Sequence, residues 1–192
     1  MGRPRTFIDC GDFFLRRWRA DRDAEPLFRL IEESLGHLGP WMPWVSRHSR
    51  ETTRAFLAGA DRKWRSGDGF AFAIGMGGRL VGSCALYRAA EPRGRVLGYW
   101  LHPAATGRGV ATRAAAALAS EAFALSGVAY VEIVHDVANT ASGAVPRRLG
   151  FAEVRRVPVT PPAAPSDRGI DVVWRLARPA PPRGGADIPL WG

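Results

Sequence analysis

The chain has 192 residues, 46% of them hydrophobic, and a formal net charge of +9 at pH 7. That length suits one domain around one core. Apolar runs stay well short of the roughly 18 residues of a membrane span, and no charged-then-apolar leader opens the chain, so neither a transmembrane helix nor a signal peptide is expected.

In chain order, residues 1–12 read as an N-terminal segment, and Phe13–Trp18 as a first strand. Asp21 is placed to cap a helix whose stripe is Ala24, Leu27, Phe28, Leu30 and Ile31, ending near Gly36. Pro40-Trp41-Met42-Pro43-Trp44 breaks it, and Ser49 or Thr52 can cap a second helix running to Gly67. Phe70–Ile74 and Leu80–Tyr87 flank a glycine turn as a hairpin, and Arg95–Leu101 follows as a further strand. Val110–Leu125 is an alanine-rich helix closed by Gly127. Then come a strand over Val128–Val134, a short helix between Asn139 and Gly150, and strands over Phe151–Val157 and Ile170–Leu176. Pro146 lies inside that short helix and predicts a kink or a helix start beside it. The alternation of strands and helices gives an α/β sheet with helices on its faces. The domain spans 13–176, and 177–192 is a proline-rich tail that can fold back through Ile188, Leu190 and Trp191.

Lys63 is the one lysine among 27 basic residues. The arginines are scattered rather than gathered on one element, which argues against a nucleic-acid surface. A positive field instead favours an anionic small molecule. Cys10 and Cys84 are far apart and each sits in an apolar run, as packing residues of a reducing cytoplasm do. Neither these two cysteines nor the four histidines have zinc spacing, and no metal is expected. Met1-Gly2 with Thr6 matches a myristoylation pattern formally; Arg3, Pro4 and Arg5 lend it no support, and it reads as a chance match.

The segment Leu101-His102-Pro103-Ala104-Ala105-Thr106-Gly107-Arg108-Gly109-Val110-Ala111-Thr112 carries the first chemical signal. A strand ends, a glycine loop turns and a helix opens. Gly107 and Gly109 permit positive φ and close ligand approach. The helix start offers unpaired N–H groups and a positive dipole end, an anion site suited to a pyrophosphate. The loop is neither a Walker loop nor a full dinucleotide fingerprint.

The second segment is Asn139-Thr140-Ala141-Ser142-Gly143-Ala144-Val145-Pro146-Arg147-Arg148-Leu149-Gly150-Phe151. Taken together, Gly98-Tyr99-Trp100-Leu101, Gly107, Gly109, Ala111-Thr112, Asn139, Ser142, Val145 and Leu149-Gly150-Phe151 resemble the GNAT superfamily. Within it they resemble the RimJ/RimL branch of ribosomal-protein acetyltransferases. Phe14-Leu15-Arg16-Arg17-Trp18 looks like that branch's opening strand, and Leu38-Gly39-Pro40-Trp41-Met42-Pro43-Trp44 like its loop after the first helix.

The resemblance implies a mixed, mostly antiparallel central sheet with splayed fourth and fifth strands and helices on both faces. It implies acetyl-CoA as co-substrate, with pantetheine bonded by main chain at Trp100 and Leu101 and by Asn139. It assigns the pyrophosphate to the loop of Thr106, Gly107, Arg108, Gly109, Val110, Ala111 and Thr112. The reaction implied is acetyl transfer to a primary amine, of a protein N-terminus or of a small molecule, and a homodimer is compatible with it. Two positions depart from the family. Thr106 stands where Gln or Arg is usual, and Pro146 where many relatives carry the tyrosine that protonates the leaving thiolate. Ser142 takes over as proton donor on this reading; the alternative is that it caps the short helix.

An attacking amine must lose a proton. Glu132, His135 and Asp136 on the fifth strand and His102 after the fourth are the candidates, each with an ordinary structural role as its alternative. Tyr99 can line the acceptor pocket or simply pack. Asp21, Asp23, Glu25, Glu32 and Glu33 make the first helix acidic, which can attract a cationic amine or merely solvate that face. The rival readings are an acyltransferase using a larger acyl-CoA such as succinyl-CoA, and a non-catalytic acyl-CoA-binding module.

Overall fold

The computed structural model describes residues 2–161 and 163–179. Its strands are β1 (Phe7–Asp9), β2 (Phe13–Arg17), β3 (Gly69–Met76), β4 (Arg79–Arg88), β5 (Gly94–Leu101), β6 (Tyr130–Asp136), β7 (Ala152–Pro158) and β8 (Ile170–Ala177). They form one sheet in the order β1-β2-β3-β4-β5-β6-β8-β7. Every neighbouring pair is antiparallel except β5 and β6. The helices are α1 (Ala20–Glu32), α2 (Leu35–Leu38), α3 (Arg50–Ser66), α4 (Val110–Ala124) and α5 (Thr140–Arg148). Among the described residues no helix is long and apolar enough to cross a membrane.

Alternation along the strands divides the core into two layers. Phe70, Phe72 and Ile74 of β3, with Leu86, Leu97 and Leu101, face α4, which meets them with Val110, Ala114, Ala115, Leu118 and Ala122. Each fully buried large side chain of this layer is worth about 2 kcal/mol relative to exposure. The opposite face of β3 offers Ala71 and Ala73, and there Leu27 and Ile31 of α1 and Leu57 of α3 pack with Trp18. Small residues on that face let two helices lie close to the sheet.

The parallel contact between β5 and β6 is short. It pairs Gly94 with Tyr130, Arg95 with Val131 and Val96 with Glu132, and goes no further. Beyond it Leu97–Leu101 and Ile133–Asp136 diverge. Counted from Phe13, these are the fourth and fifth strands, the pair that the family resemblance implies should splay. Glu132 sits at the fork with 4% exposure. Its carboxylate accepts from Arg175 at 2.7 Å and lies 3.4 Å from Arg155. At the far end of β6 the Asp136 carboxylate accepts four backbone N–H bonds, from Ala138 (2.8 Å), Arg168 (2.9 Å), Gly169 (2.9 Å) and Ile170 (3.2 Å). Burial pushes its pKa up, but these donors outweigh burial and hold it below the usual carboxylate range.

Several local expectations shift. Within residues 1–12, Phe7–Asp9 forms a strand against β2. Three residues are too few to show periodicity. Arg5 anchors the segment by donating twice, at 2.8 Å, to the buried Glu121 of α4. Arg19, not Asp21, is the N-cap of α1, and the Asp23 carboxylate accepts the Arg19 N–H at 2.7 Å. Ser49 caps α3, with Thr52 reciprocating. Leu125 is extended directly after α4, so Gly127 lies past the cap rather than in it. Helix α5 starts at Thr140 and continues through Pro146. Of the tail, 180–192 lies outside the described residues, Ile188, Leu190 and Trp191 included.

Replacing Asp136 by Asn should cost about 3 kcal/mol, because an amide cannot accept from donors on both of its ends; urea denaturation reads it. The carboxylate's contribution should be complete above about pH 4 and fade as pH falls through its lowered value. Glu132→Gln should cost about 3 kcal/mol by the same measurement, since two arginines then face an uncharged group.

Candidate active site

A cavity of ≈ 940 Å³ opens where β5 and β6 part. Leu97, Tyr99 and Ile133 line it from the α4 face, and Trp100, Val134 and Asp136 from the face of α1 and α3. It therefore passes through the sheet and joins the two faces. On the α1/α3 side it is walled by Trp41, Met42, Trp44, His48 and Phe56. Trp44 is 41% exposed and its ring centroid lies 6.1 Å from that of Trp100. The β7–β8 loop closes over this side, tied down by the Ser166 N–H donating to the Pro40 carbonyl at 3.0 Å.

The glycine loop lies where β5 hands over to α4. Gly107 has φ 71° and Gly109, the N-cap of α4, has φ 72°. A Cβ would cost about 1–2 kcal/mol at each such left-handed position, so only glycine turns the loop this way without strain. No side chain caps α4, and its first-turn N–H groups face outward with the helix dipole behind them. Arg108 is exposed beside them, while Thr106 spends its hydroxyl proton on the Pro103 carbonyl at 2.7 Å. Val110 is buried in the core, and Ala111 and Thr112 are half-buried in the first turn. The open edge of β5 through Trp100 and Leu101 leads from this loop into the gap. The chain thus presents an anion site, then an unpaired strand edge, then a cavity, in line with the three parts of a pantetheine thioester of a nucleotide.

Asn139, Ser142 and Tyr99 meet in that cavity. Asn139 caps α5 by accepting the Ser142 N–H at 3.1 Å, which leaves its amide N–H₂ free to donate. The Tyr99 hydroxyl donates to the Ser142 carbonyl at 2.9 Å and lies 3.3 Å from Ser142 Oγ. Burial pushes Tyr99 up to about 12, so it stays a donor across the neutral range. Gly143 lets α5 sit this low: a Cβ there would lie 2.6 Å from the His135 ring.

The sequence candidates for a proton acceptor are all engaged. Glu132 does not line the cavity and is held by Arg175 and Arg155. His135 lines it, but its Nδ1 donates to the Asp136 carbonyl at 2.7 Å and its Nε2 accepts from Trp174 Nε1 at 2.9 Å. Asp136 is saturated by four backbone donors. His102 lies outside the cavity lining, with its Nδ1 accepting from Ala104 at 3.1 Å.

Three cavity residues were not read from the sequence. Asp171 stands opposite Asp136 across β6 and β8, and its carboxylate forms no hydrogen bond or ion pair among the described residues. Burial pushes its pKa up, and the Asp136 and Asp167 carboxylates add to the rise. Asp167 accepts from the Ala164 N–H at 2.8 Å. His48 Nε2 is buried without a hydrogen-bond partner among the described residues, 3.8 Å from Glu32. No motif marks these positions; Asp171 enters the site from the start of β8, Asp167 from the β7–β8 loop and His48 from the chain between α2 and α3. Among the described residues no group of His, Cys, Asp and Glu is arranged to hold a metal ion.

Residues 12–152 match the family described as "Acetyltransferase (GNAT) domain". The chain is 29% identical over 135 residues to the putative ribosomal N-acetyltransferase YdaF of Bacillus subtilis, which covers 69% of this chain and 74% of that protein. RimJ of Mycobacterium smegmatis, solved in complex with CoA-disulfide, superposes with a TM-score of 0.76 at 26% identity, over 86% of this chain and 81% of that one. RimL, a ribosomal L7/L12 alpha-N-protein acetyltransferase solved with coenzyme A, shares the fold with a TM-score of 0.81 at 21% identity, over 89% and 97% of the two chains. With the splayed sheet and the cavity through it, these matches establish that the chain belongs to the GNAT family, as an N-acetyltransferase that passes the acetyl group of acetyl-CoA to an amine.

Proposed function

We propose that the acceptor is the α-amino group of a protein N-terminus, acetylated in the cytoplasm. The relatives point to such an acceptor: YdaF is named a putative ribosomal N-acetyltransferase and RimL an alpha-N-protein acetyltransferase. The observation that carries the reading is the cavity through the sheet, walled by exposed Trp44 on one face and lined by the Asp171 carboxylate. An extended chain end can enter between α1, α3 and the β7–β8 loop and bring its amine to a carboxylate. Two free cysteines, Cys10 and Cys84, are in keeping with a reducing compartment.

Acetyl-CoA supplies the activated acyl group. The glycine loop and the first turn of α4, from Thr106 to Thr112, would hold its pyrophosphate; the β5 edge at Trp100 and Leu101 and the Asn139 amide would hold its pantetheine. Asp171 takes the proton of the incoming neutral amine, directly or through a water, and Ser142 Oγ–H bonds the departing sulfur and passes it a proton, which water entering the cavity replaces on the serine oxygen. Nitrogen gains the acetyl carbon, the C–S bond breaks, and one proton leaves nitrogen as one reaches sulfur. Asp171 takes the part that Glu132, His135, Asp136 and His102 are too engaged to play. The same carboxylate attracts the ammonium form of the acceptor in a chain of net positive charge.

Incubation with acetyl-CoA and a panel of N-terminal peptides, polyamines and other small amines, followed by free thiol and peptide mass, tests this. Thiol release with peptides is expected. Release with small amines alone would overturn the acceptor, and cofactor binding with no release at all would overturn the chemistry. Ser142→Ala should lower kcat about a hundredfold, the scale of a lost general acid. Because Asp171 holds its proton to a higher pH than an exposed aspartate, kcat should fall on acidification already above about pH 4. Asp171→Asn should lower the plateau and abolish that acidic limb.

A further inference from the structure

We propose that the Tyr99 hydroxyl replaces the backbone N–H that Pro146 lacks, and that it thereby positions Ser142 over the cavity. In an α-helix the carbonyl of residue i accepts from the N–H of residue i+4. For Ser142 that donor would be residue 146, which is proline, inside α5 and buried. A proline at such a site removes the hydrogen bond and crowds the carbonyl four residues back, at a typical cost of about 3 kcal/mol. A buried carbonyl left without a donor adds to that cost. Here the carbonyl is not left bare: Tyr99 Oη donates to it at 2.9 Å.

The donor comes from the far side of the gap. Tyr99 belongs to β5, whereas α5 rests on β6 through Gly143 and His135. The bond therefore ties the two splayed strands together just past the point where their own ladder stops at Val96 and Glu132. Ser142 is clamped at both backbone groups by side chains that line the cavity. Its N–H goes to Asn139 Oδ1 at 3.1 Å and its carbonyl accepts from Tyr99. With the tyrosine proton committed to that carbonyl, Tyr99 Oη can accept from Ser142 Oγ, 3.3 Å away, until a developing thiolate draws the serine proton to itself. Tyr99 is on this account a positioning residue that acts through Ser142. Pro146 removes a donor from inside α5, and a tyrosine from another strand supplies the one that is missing.

The proposal rests on Ser142 as proton donor for its kinetic part only. Its test is a double-mutant cycle of wild type, Tyr99→Phe, Pro146→Ala and the pair, read by kcat and KM for acetyl-CoA and by urea unfolding. Tyr99→Phe alone should lower kcat about tenfold, the scale of one well-placed hydrogen bond, with KM for acetyl-CoA unchanged within about twofold. In the Pro146→Ala background, where the helix recovers its own N–H, the same change should cost less than about twofold, and the unfolding data should show the same rescue. Equal losses in both backgrounds, or a Tyr99→Phe effect confined to KM, would overturn it. If the alanine variant folds poorly, Pro146→Ser supplies the same N–H. Should no amine release thiol, the unfolding cycle still decides the Tyr99–Pro146 coupling, so failure of the acetyl-transfer reading and failure of this inference are told apart.

Discussion

The structure depends on where the hydrogen-bond ladder between β5 and β6 stops. Three residue pairs hold the strands parallel, and past Val96 and Glu132 they part. An open ladder inside a sheet leaves backbone donors and acceptors without partners, which is expensive unless something else takes them. The gap is thus both the weakest line in the sheet and the place where an extended thioester arm is most readily bonded. Arg175 and Arg155 hold Glu132 on the β6 side of the fork, and the Tyr99–Ser142 bond crosses the gap further along. Everything on either side, α4 under one face and α1 with α3 over the other, is packed so that this one line can stay open.

The distribution of acids follows from the same economy. Buried carboxylates are tolerated where donors or arginines satisfy them. Asp136 joins β6 to the β7–β8 loop, Glu132 binds Arg175 beside the fork, Glu121 holds the N-terminal strand, and Asp23 binds Arg16 and the Arg19 N–H. These groups are costly to bury, and each is fully used by the scaffold. Asp171, half-buried and with no hydrogen bond or ion pair to its carboxylate among the described residues, is different in kind. A carboxylate partly withdrawn from water and left unpaired has a raised affinity for a proton or an ammonium group, the property that the proposed base requires.

The fold was legible because its signals are local. Alternation in β3, β4 and β5, the alanine-rich stripe of α4 and the strand-to-glycine-to-helix turn at Leu101–Val110 are each set by neighbours in the chain. The short β1 was missed because three residues carry no period, and its place depends on Arg5 reaching Glu121. The span of α5 between Asn139 and Gly150 was legible, but what the Ser142 carbonyl bonds to opposite Pro146 was not, because its donor, Tyr99, lies on a distant strand.

By itself, the sequence determined the α/β plan, the family resemblance, the strand-to-glycine-to-helix turn at Gly107–Val110 and the start of a short helix after Asn139. Those features arise from backbone preferences and capping within a few residues. Only the tertiary structure decided which titratable groups are free to react. Glu132, His135 and Asp136 have the composition of catalytic residues, but partners more than 20 positions away, Arg155, Arg175, Trp174 and the 168–170 backbone, engage them. Asp171 carries no motif and becomes available because the chain leaves it facing a cavity. The reason is physical: a side chain's protonation and reactivity depend on what lies within a few ångströms in space, and the order of residues specifies those neighbours only through the fold.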